Sequence, residues 1–328
     1  MIRRSLVMVT LLWAWTAAAQ TGAGATSCAT SSELDPPMKQ SIERAAQQYA
    51  VYAVRGDLSS LRQSSIGSLA SNFGGIEALL GDYKASLAGA TPAIRSAYLL
   101  EARGAQVLDT AEFFCGIMNA PDATGFNITA LPPGEYALTI QDLTSPQVPF
   151  LLTQILKNNS GWKLAGFYLK PARLAGHDPA WFLQKAREFK ARGETRNAWF
   201  YYLAAWDMTA PVEFMSTRPL DKLVDEMAQV RPNDLPFTGP VDLPGAGKTY
   251  KVTYVSMVPV NDDMYLLVKY QSPDVSNTQQ AYADNLSVIK AVTLKYPEYR
   301  DAFSGVVARA TEPSGRDYGS MLAMKDVK

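Results

Sequence analysis

The sequence predicts an α+β protein with N-terminal helices and a curved antiparallel sheet, a central helical hairpin and a C-terminal ββαββ domain. Three observations predict this class. Apolar residues recur at helical spacing over residues 38–87, short apolar segments between turn residues fill 97–170, and helical spacing returns at 182–205. Helices followed by a run of strands indicate α+β organisation and not the regular alternation of a parallel fold.

Composition restricts the kinds of chemistry that the chain can perform. The 328 residues are enough for about two domains. The chain carries 31 basic and 31 acidic side chains, so we expect no nucleic-acid partner. One histidine and two cysteines are too few to form His-rich metal sites or four-ligand Cys/His zinc sites, and they argue against most His-based triads in this chain. We therefore expect no metal and no cofactor, and we single out no catalytic residue.

Residues 1–19 have the pattern of a secretory signal peptide. Arg3 and Arg4 precede an apolar stretch, and small residues at 17–19 offer a cleavage site. The apolar stretch is shorter than the about 20 residues that a membrane-spanning helix needs. We expect an exported protein of bacterial type, periplasmic or extracellular, with no transmembrane segment in the mature chain.

Residues 20–37 are rich in Thr, Ala, Gly and Ser and end in two prolines, which predicts a flexible leader. In an oxidising compartment Cys28 and Cys115 are expected to form a disulfide that pins this leader to a strand. The alternatives are a reduced, buried Cys115 and a lipid-modified Cys28. Ala25 stands where bacterial lipoprotein signals normally have leucine, which disfavours lipidation.

Three helices are predicted after the leader, at 38–55, 58–66 and 73–87, because their apolar residues recur at helical spacing. The pattern then changes to strands, which are predicted at 97–101, 112–118, 126–130, 136–142, 149–157 and 162–170. The turn at 158–161 has the residues that a hairpin needs. Alternation in the last strand predicts that four residues share one face: Trp162, Leu164, Gly166 and Tyr168.

This order of elements over residues 38–170 resembles the nuclear transport factor 2-like roll, as does the closing strand pair around Gly161-Trp162-Lys163-Leu164. The resemblance implies a curved sheet that wraps the helices and leaves a cone-shaped cavity. Enzymes of this superfamily often use an Asp and a His in the cone, but residues 38–170 contain no histidine. Four aromatic residues are ligand-binding candidates, with simple core packing as their alternative: Tyr98, Tyr136, Trp162 and Tyr168.

Residues 178–230 predict a helical hairpin and one further helix. Around Gly193, the order of large and small residues resembles a single tetratricopeptide repeat, at Phe182, Ala186, Phe189, Ala198, Tyr202 and Ala205. One such unit cannot bury its apolar face alone, so it must pack on a neighbour. The hairpin also has more aromatic residues than a two-helix seam can bury, which predicts either interdomain packing or a protein or peptide partner at Trp181, Trp199 and Trp206.

Residues 231–247 contain so many prolines and glycines that a linker is predicted. The following 248–328 are expected to form a small α+β domain, with strands at 249–258, 264–271, 305–310 and 318–325 and a helix at 278–296. The run 245–249 looks like the end of a phosphate-binding loop. Asp242 stands where that motif requires glycine, and the run precedes a strand, so we interpret it as part of the linker.

Two further motifs have structural explanations. His177 precedes a predicted helix, and we interpret it as a residue at the helix start beside the cap Asp178. Three matches to the glycosylation pattern, at Asn127, Asn158 and Asn285, would matter only in a eukaryotic secretory pathway.

The export signal and the lack of a reactive constellation predict a non-enzymatic binding or scaffolding protein of unknown ligand. The alternative is a small-molecule enzyme that uses the cavity of the roll, with Tyr and Asp or Glu side chains as acid and base. A buried carboxylate with a raised pKa beside tyrosines would favour the enzyme. A space filled by aliphatic side chains would favour the scaffold.

Overall fold

The computed structural model describes residues 26–328 and confirms the α+β class. The predicted signal peptide at 1–19 lies outside the described residues. The helices are α1 (Pro36–Arg55), α2 (Leu58–Gln63), α3 (Gly67–Ser71), α4 (Gly74–Asp82), α5 (Lys84–Leu87), α6 (Pro179–Ala191), α7 (Thr195–Thr209), α8 (Arg218–Ala228), α9 (Thr278–Lys295) and α10 (Tyr299–Ala302).

The strands form three separate sheets. They are β1 (Thr26–Thr30), β2 (Thr91–Ala102), β3 (Leu108–Cys115), β4 (Thr124–Leu131), β5 (Gly134–Thr144), β6 (Phe150–Asn158), β7 (Trp162–Pro171), β8 (Met215–Thr217), β9 (Val241–Gly245), β10 (Lys248–Val260), β11 (Asp263–Gln271), β12 (Gly305–Thr311) and β13 (Asp317–Ala323). The strand orders are β1-β2-β5-β6-β7, β3-β4-β8 and β13-β12-β11-β10-β9.

Helix α1 begins and ends where local chemistry requires it. The Asp35 carboxylate accepts a hydrogen bond from the Met38 N–H at 2.7 Å, and two prolines occupy the first helical positions. Gly56 ends the helix with a φ of 69°, a conformation that glycine adopts without a steric cost. The apolar face of α1 packs on the first sheet, in a core that includes Ile42, Ala46, Leu61, Phe73, Leu152, Leu156 and Leu164.

The expected flexible leader is wrong for the part that the structure describes. Thr26–Thr30 is strand β1, which pairs antiparallel with β2 and places Cys28 opposite Leu100. Cys28 forms the predicted disulfide with Cys115 on β3, with 5.1 Å between the two Cα atoms. A polar segment is thus ordered because it completes a sheet edge and is covalently attached to the neighbouring sheet.

The small sheet β3-β4-β8 covers the other face of the first sheet. Between them lies a second apolar core that includes Tyr98, Leu100, Phe113, Cys115, Phe126, Leu138 and Ile140. The first sheet is therefore buried on both faces at its centre, which explains why successive residues of β5 and β6 are buried instead of every second one.

Helices α6 and α7 form the predicted hairpin, and α8 packs against them as a third helix. Asp178 caps α6 by accepting the Trp181 N–H at 2.9 Å, and Gly193 turns the chain with a φ of 78°. Arg187 on α6 pairs with Glu226 on α8 at 2.8 Å, and the Tyr202 hydroxyl donates to the same carboxylate. These contacts join all three helices.

The C-terminal sheet has one strand more than the predicted ββαββ pattern. Val241–Gly245, within the expected linker at 231–247, is strand β9, which pairs antiparallel with β10. The turn between them places Ala246 and Gly247 at φ values of 50° and 77°, as in a type I′ hairpin. The glycine-rich run is therefore a tight turn. Helix α9 connects the parallel pair β11 and β12 and packs on one face of the sheet.

Asn285 on α9 is fully buried and satisfies its amide inside this C-terminal unit. Its Oδ1 accepts the Tyr270 hydroxyl at 2.9 Å, and its Nδ2 donates to the Tyr318 carbonyl at 3.1 Å and to Ser320 at 2.9 Å. Burial raises the pKa of Tyr270, so its hydroxyl remains a donor at neutral pH. A buried amide cannot accept a glycan in the folded chain. The match to the glycosylation pattern at Asn285 is therefore explained by the structural role of this side chain.

Replacement of Asn285 by alanine should lower the free energy of unfolding by about 2 to 3 kcal/mol, because the buried Tyr270 hydroxyl and two partly buried groups lose their partner. Urea titration followed by circular dichroism measures this change. The matched control is Asn159→Ala, at an exposed turn position, which should change stability by less than about 0.5 kcal/mol. Equal effects of the two substitutions would contradict the buried network.

Removal of the disulfide by the double substitution Cys28→Ala and Cys115→Ala should destabilise the chain by about 4 to 5 kcal/mol. The bond closes an interval of 87 residues, so its loss increases the conformational entropy of the unfolded chain. Guanidinium unfolding measures the loss. Thiol titration of the denatured, unreduced protein should find no free thiol, and two thiols per chain would contradict the pairing.

Candidate functional site

Two of the four predicted ligand-binding aromatics lie in the core between the two N-terminal sheets. Tyr98 packs edge-on against Phe126, with 5.1 Å between ring centroids. Tyr136 is buried, and its hydroxyl donates to the Pro132 carbonyl at 2.8 Å. Both side chains therefore pack between the sheets, on the face away from α1.

Trp162 and Tyr168 lie on opposite faces of β7, contrary to the predicted alternation. Ala165 is an extra residue in the ladder, because Ile155 pairs with Gly166 and Leu156 pairs with Leu164. Such a bulge shifts the alternation by one position. Trp162 consequently packs on the helical side, while Tyr168 is 37% exposed on the other side, edge-on to Phe214.

The space between α1 and the first sheet is filled by apolar side chains and two buried amides. Gln141 Nε2 donates to the Ala46 carbonyl at 3.2 Å and to Gln154 Oε1 at 3.0 Å. Among residues 26–328, no aspartate or glutamate is fully buried. The polar groups buried in this core are thus amides and hydroxyls.

The three tryptophans of the predicted partner surface have different environments. Trp181 is half-buried and stacks on His177, with 3.7 Å between ring centroids. Trp199 is only 9% exposed and packs edge-on against Phe237. Trp206 is half-buried beside an open groove, with the Lys170 ammonium 5.8 Å from its ring. Of the three, Trp206 is the one that borders this groove.

This groove, called the α7 groove below, has a volume of about 730 Å³. It is lined by Leu174, Phe200, Leu203, Ala204, Trp206, Asp207, Glu213, Tyr254, Ser256, Met257, Val258, Leu267 and Lys269. Its first wall is the face of α7 that carries residues 200, 203, 204 and 207, a helical repeat. The second wall is formed by residues of β10 and β11, among them Tyr254, Met257 and Leu267.

Charged side chains at the α7 groove make contacts of their own. Lys170 on β7 pairs with Asp207 on α7 at 2.9 Å. Lys269 lies over the ring of Tyr254, which is 49% exposed, with 5.5 Å from the ammonium to the ring centroid. A lining of mostly apolar side chains with a few polar ones is the usual composition of a binding site.

Arg196, in the first turn of α7, fixes the hairpin against the C-terminal unit. Its Nε donates to Asp234 at 3.2 Å, its Nη1 donates to Glu298 at 2.9 Å, and its guanidinium lies 4.5 Å from the ring centroid of Tyr296. Asn197 adds a bond from its amide to the Glu298 carbonyl at 2.6 Å. We call this set of contacts the Arg196 clamp.

The Arg196 clamp perturbs the ionisation of its members. Partial burial acts to raise the pKa of Asp234, but hydrogen bonds and charge from Arg196 outweigh it, so the net pKa lies below the usual range. The two carboxylates raise the pKa of the Arg196 guanidinium, although desolvation opposes them. Arg196 and Asp234 are therefore both charged at neutral pH.

A second helical contact supports the same orientation of α7. The Tyr201 hydroxyl donates to the Ala302 carbonyl at 2.7 Å, and burial raises the pKa of this phenol to about 12. Phe200 packs edge-on against Tyr299 and Phe303. Phe200 therefore both packs against α10 and borders the α7 groove, which Leu203 and Ala204 also line.

Another cleft of about 730 Å³ lies at the end of the C-terminal sheet, but its charged groups already pair with one another or with neighbours. Lys248 pairs with Asp284 at 2.6 Å. Hydrogen bonds from Arg316 and the Val275 N–H lower the pKa of Glu312 to about 2. This carboxylate ties two loops together, and the α7 groove remains the better candidate site.

Sequence reasoning found Trp206 but missed the sheet wall of the α7 groove. Met257 and Leu267 come from strands whose apolar residues lie on both faces. A sheet covered by a helix on one face needs apolar residues on that face alone. The excess apolar residues in β10 and β11 were the available signal.

No protein-family model matches this chain, and no curated protein or solved structure shows significant similarity to it. Within residues 26–328, no helix has both the length and the apolar character needed to cross a membrane. The same residues contain no group of three or more His, Cys, Asp or Glu side chains arranged to hold a metal ion.

Substitution of Arg196 by methionine should lower the free energy of unfolding by about 2 to 3 kcal/mol, because two partly buried carboxylates lose their cation. Chemical denaturation at pH 7 measures the change. The control Arg103→Met removes an exposed pair with Glu101 and should cost less than about 1 kcal/mol.

The same pair predicts a pH dependence. Asp234 has a lowered pKa in the folded chain, so its contribution is present above its unfolded pKa of about 3.9 and is lost as pH falls through the folded value. Wild type should therefore lose more stability between pH 5 and pH 3 than the Asp234→Asn variant. Parallel pH profiles of the two proteins would contradict the Arg196 clamp.

Proposed function

We propose that this protein is an exported, non-enzymatic binding or scaffolding protein, and that its α7 groove holds an apolar segment of a partner protein. One observation carries this proposal. The groove separates two apolar walls, from α7 and from β10 and β11, which would be expected to close on each other if packing were their only role.

The composition of the groove favours a protein segment as the occupant. Trp206 and Tyr254 stand at its border, and amphipathic rings of this kind are enriched at protein interfaces. The apolar centre comes from Leu203, Met257 and Leu267, side chains that match the aliphatic residues of a partner. The groove is also open to solvent, as binding of a chain segment requires.

Export is supported by covalent chemistry. The disulfide between Cys28 and Cys115 fits an oxidising compartment, the periplasm or the extracellular space, and is rare in a reducing cytosol. The arginines and the apolar stretch within residues 1–19 have the order of a bacterial secretory signal.

The proposal extends to the two resemblances in the sequence. Helices α1 to α5 followed by antiparallel strands support a nuclear transport factor 2-like roll over residues 38–170. The packing of α6 on α7 through Phe182, Ala186 and Ala198 supports a tetratricopeptide-like hairpin. In such a hairpin the partner surface would be one helical face, here that of α7.

Binding of the apolar dye 1-anilinonaphthalene-8-sulfonate tests the groove. Leu203→Glu places a carboxylate in the apolar centre, and Ser256→Phe fills it with a ring, so each should weaken dye binding at least tenfold. Val224→Glu, at an exposed position of α8, is the matched control and should leave the dissociation constant within twofold of wild type.

Fluorescence titration measures the dissociation constants, and circular dichroism verifies that each variant is folded. Ser256→Phe adds no charge and replaces a half-buried strand residue, so it tests occupancy even if Leu203→Glu disturbs α7. Dye binding at wild-type strength by both groove variants would contradict the proposed site.

A further inference from the structure

The α7 groove borders a second open cleft, and the two share Glu213. The second cleft, called the Gly125 cleft, has a volume of about 520 Å³ over the small sheet. Its lining includes Glu112, Phe114, Gly125, Glu213, Phe214 and Met215. The shared residue places the two clefts next to each other.

The Gly125 cleft exists because a side chain is missing from the middle of a ladder. Gly125 on β4 pairs with Phe114 on β3 and with Ser216 on β8. The Phe114 ring is 49% exposed beside this gap. Phe214, which packs edge-on against Tyr168, lines the same cleft. Aromatic surface is therefore available to a ligand in the Gly125 cleft.

The charge of the Gly125 cleft is uncompensated. Within the part of the chain that the structure describes, no lysine, arginine or histidine nitrogen lies within 4.0 Å of the carboxylates of Glu112 or Glu213. By contrast, Asp207 in the α7 groove already has Lys170 as its partner. Burial raises the pKa of Tyr168, and the charge of Glu213 adds to this shift, which places Glu213 near the Tyr168 hydroxyl.

We propose that the occupant is an extended peptide segment of a partner protein, with apolar side chains in the α7 groove and a lysine or arginine in the Gly125 cleft. This inference rests on the proposed function. The cation would lie between the two glutamates and beside the exposed Phe114 ring, where charge-assisted hydrogen bonds and a cation–π contact act together. An anionic side chain would meet two carboxylates and be rejected.

Synthetic peptides test this assignment. Each fluorescein-labelled peptide carries three consecutive apolar residues and one lysine, in both chain directions, with one, two or three serines as the spacer. Matched peptides carry norleucine or glutamate in place of the lysine. Fluorescence anisotropy should show that the best lysine peptide binds wild type at least tenfold more tightly than its norleucine counterpart, with the glutamate peptide weakest.

The double variant Glu112→Gln and Glu213→Gln removes both charges with little change in shape. It should reduce the tenfold preference for lysine over norleucine to less than twofold. The matched double variant Asp109→Asn and Asp225→Asn removes two exposed carboxylates outside the lining of both clefts and should retain the tenfold preference. Salt at 0.5 M should weaken binding of the lysine peptide more than binding of the norleucine peptide.

The outcomes separate the two proposals. Equal affinity for lysine and norleucine peptides, or a preference that survives in the glutamine variant, overturns the basic-residue assignment. If Leu203→Glu still weakens binding of the norleucine peptide in that case, the proposed function of the α7 groove stands. Absence of binding by every peptide overturns the inference, and dye binding that is unaffected in the groove variants overturns the function.

Discussion

The three ionic and ring contacts of Arg196 determine how the helical hairpin stands against the C-terminal unit. This one side chain bonds Asp234 in the connecting segment and Glu298 before α10, and it stacks near Tyr296 at the end of α9. Because the contacts are partly shielded from water, they are stronger than ordinary surface pairs. Their geometry fixes the relative orientation of the groups they join as well as the distance between them. The orientation of α7, and hence the separation of the two walls of its groove, depends on them.

Much of the fold could be predicted because its signals are local. Caps such as Asp35 and Asp178, the helix-ending Gly56 and the two cysteines each act through near neighbours or covalent chemistry. The missed strands β1 and β9 lack such signals: one is a polar segment and the other contains a proline. Both are held by pairing with a strand far along the chain or by a tight turn. Sequence periodicity does not report those partners.

The candidate site was predicted only in part, for a related reason. Trp206 stood out because the hairpin has more aromatic residues than two helices can bury. The opposite wall of the α7 groove comes from strands more than 40 residues away along the chain, such as β11, which contains Leu267. Tyr168 was misplaced because the extra residue Ala165 reverses the alternation of β7, and a bulge of one residue leaves no compositional trace. Tyr168 actually lies on the opposite face from Trp162, edge-on to Phe214.

The central claim is that an apolar partner segment occupies the space between α7 and the β10 and β11 strands. Methyl NMR spectroscopy of the protein labelled at leucine and methionine measures this directly, residue by residue, during titration with a bound peptide. The account predicts that the methyl signals of Leu203, Met257 and Leu267 shift together, while those of core residues such as Leu61 and Leu138 stay constant. Shifts confined to the core between the N-terminal sheets, with the three groove methyls unchanged, would contradict it.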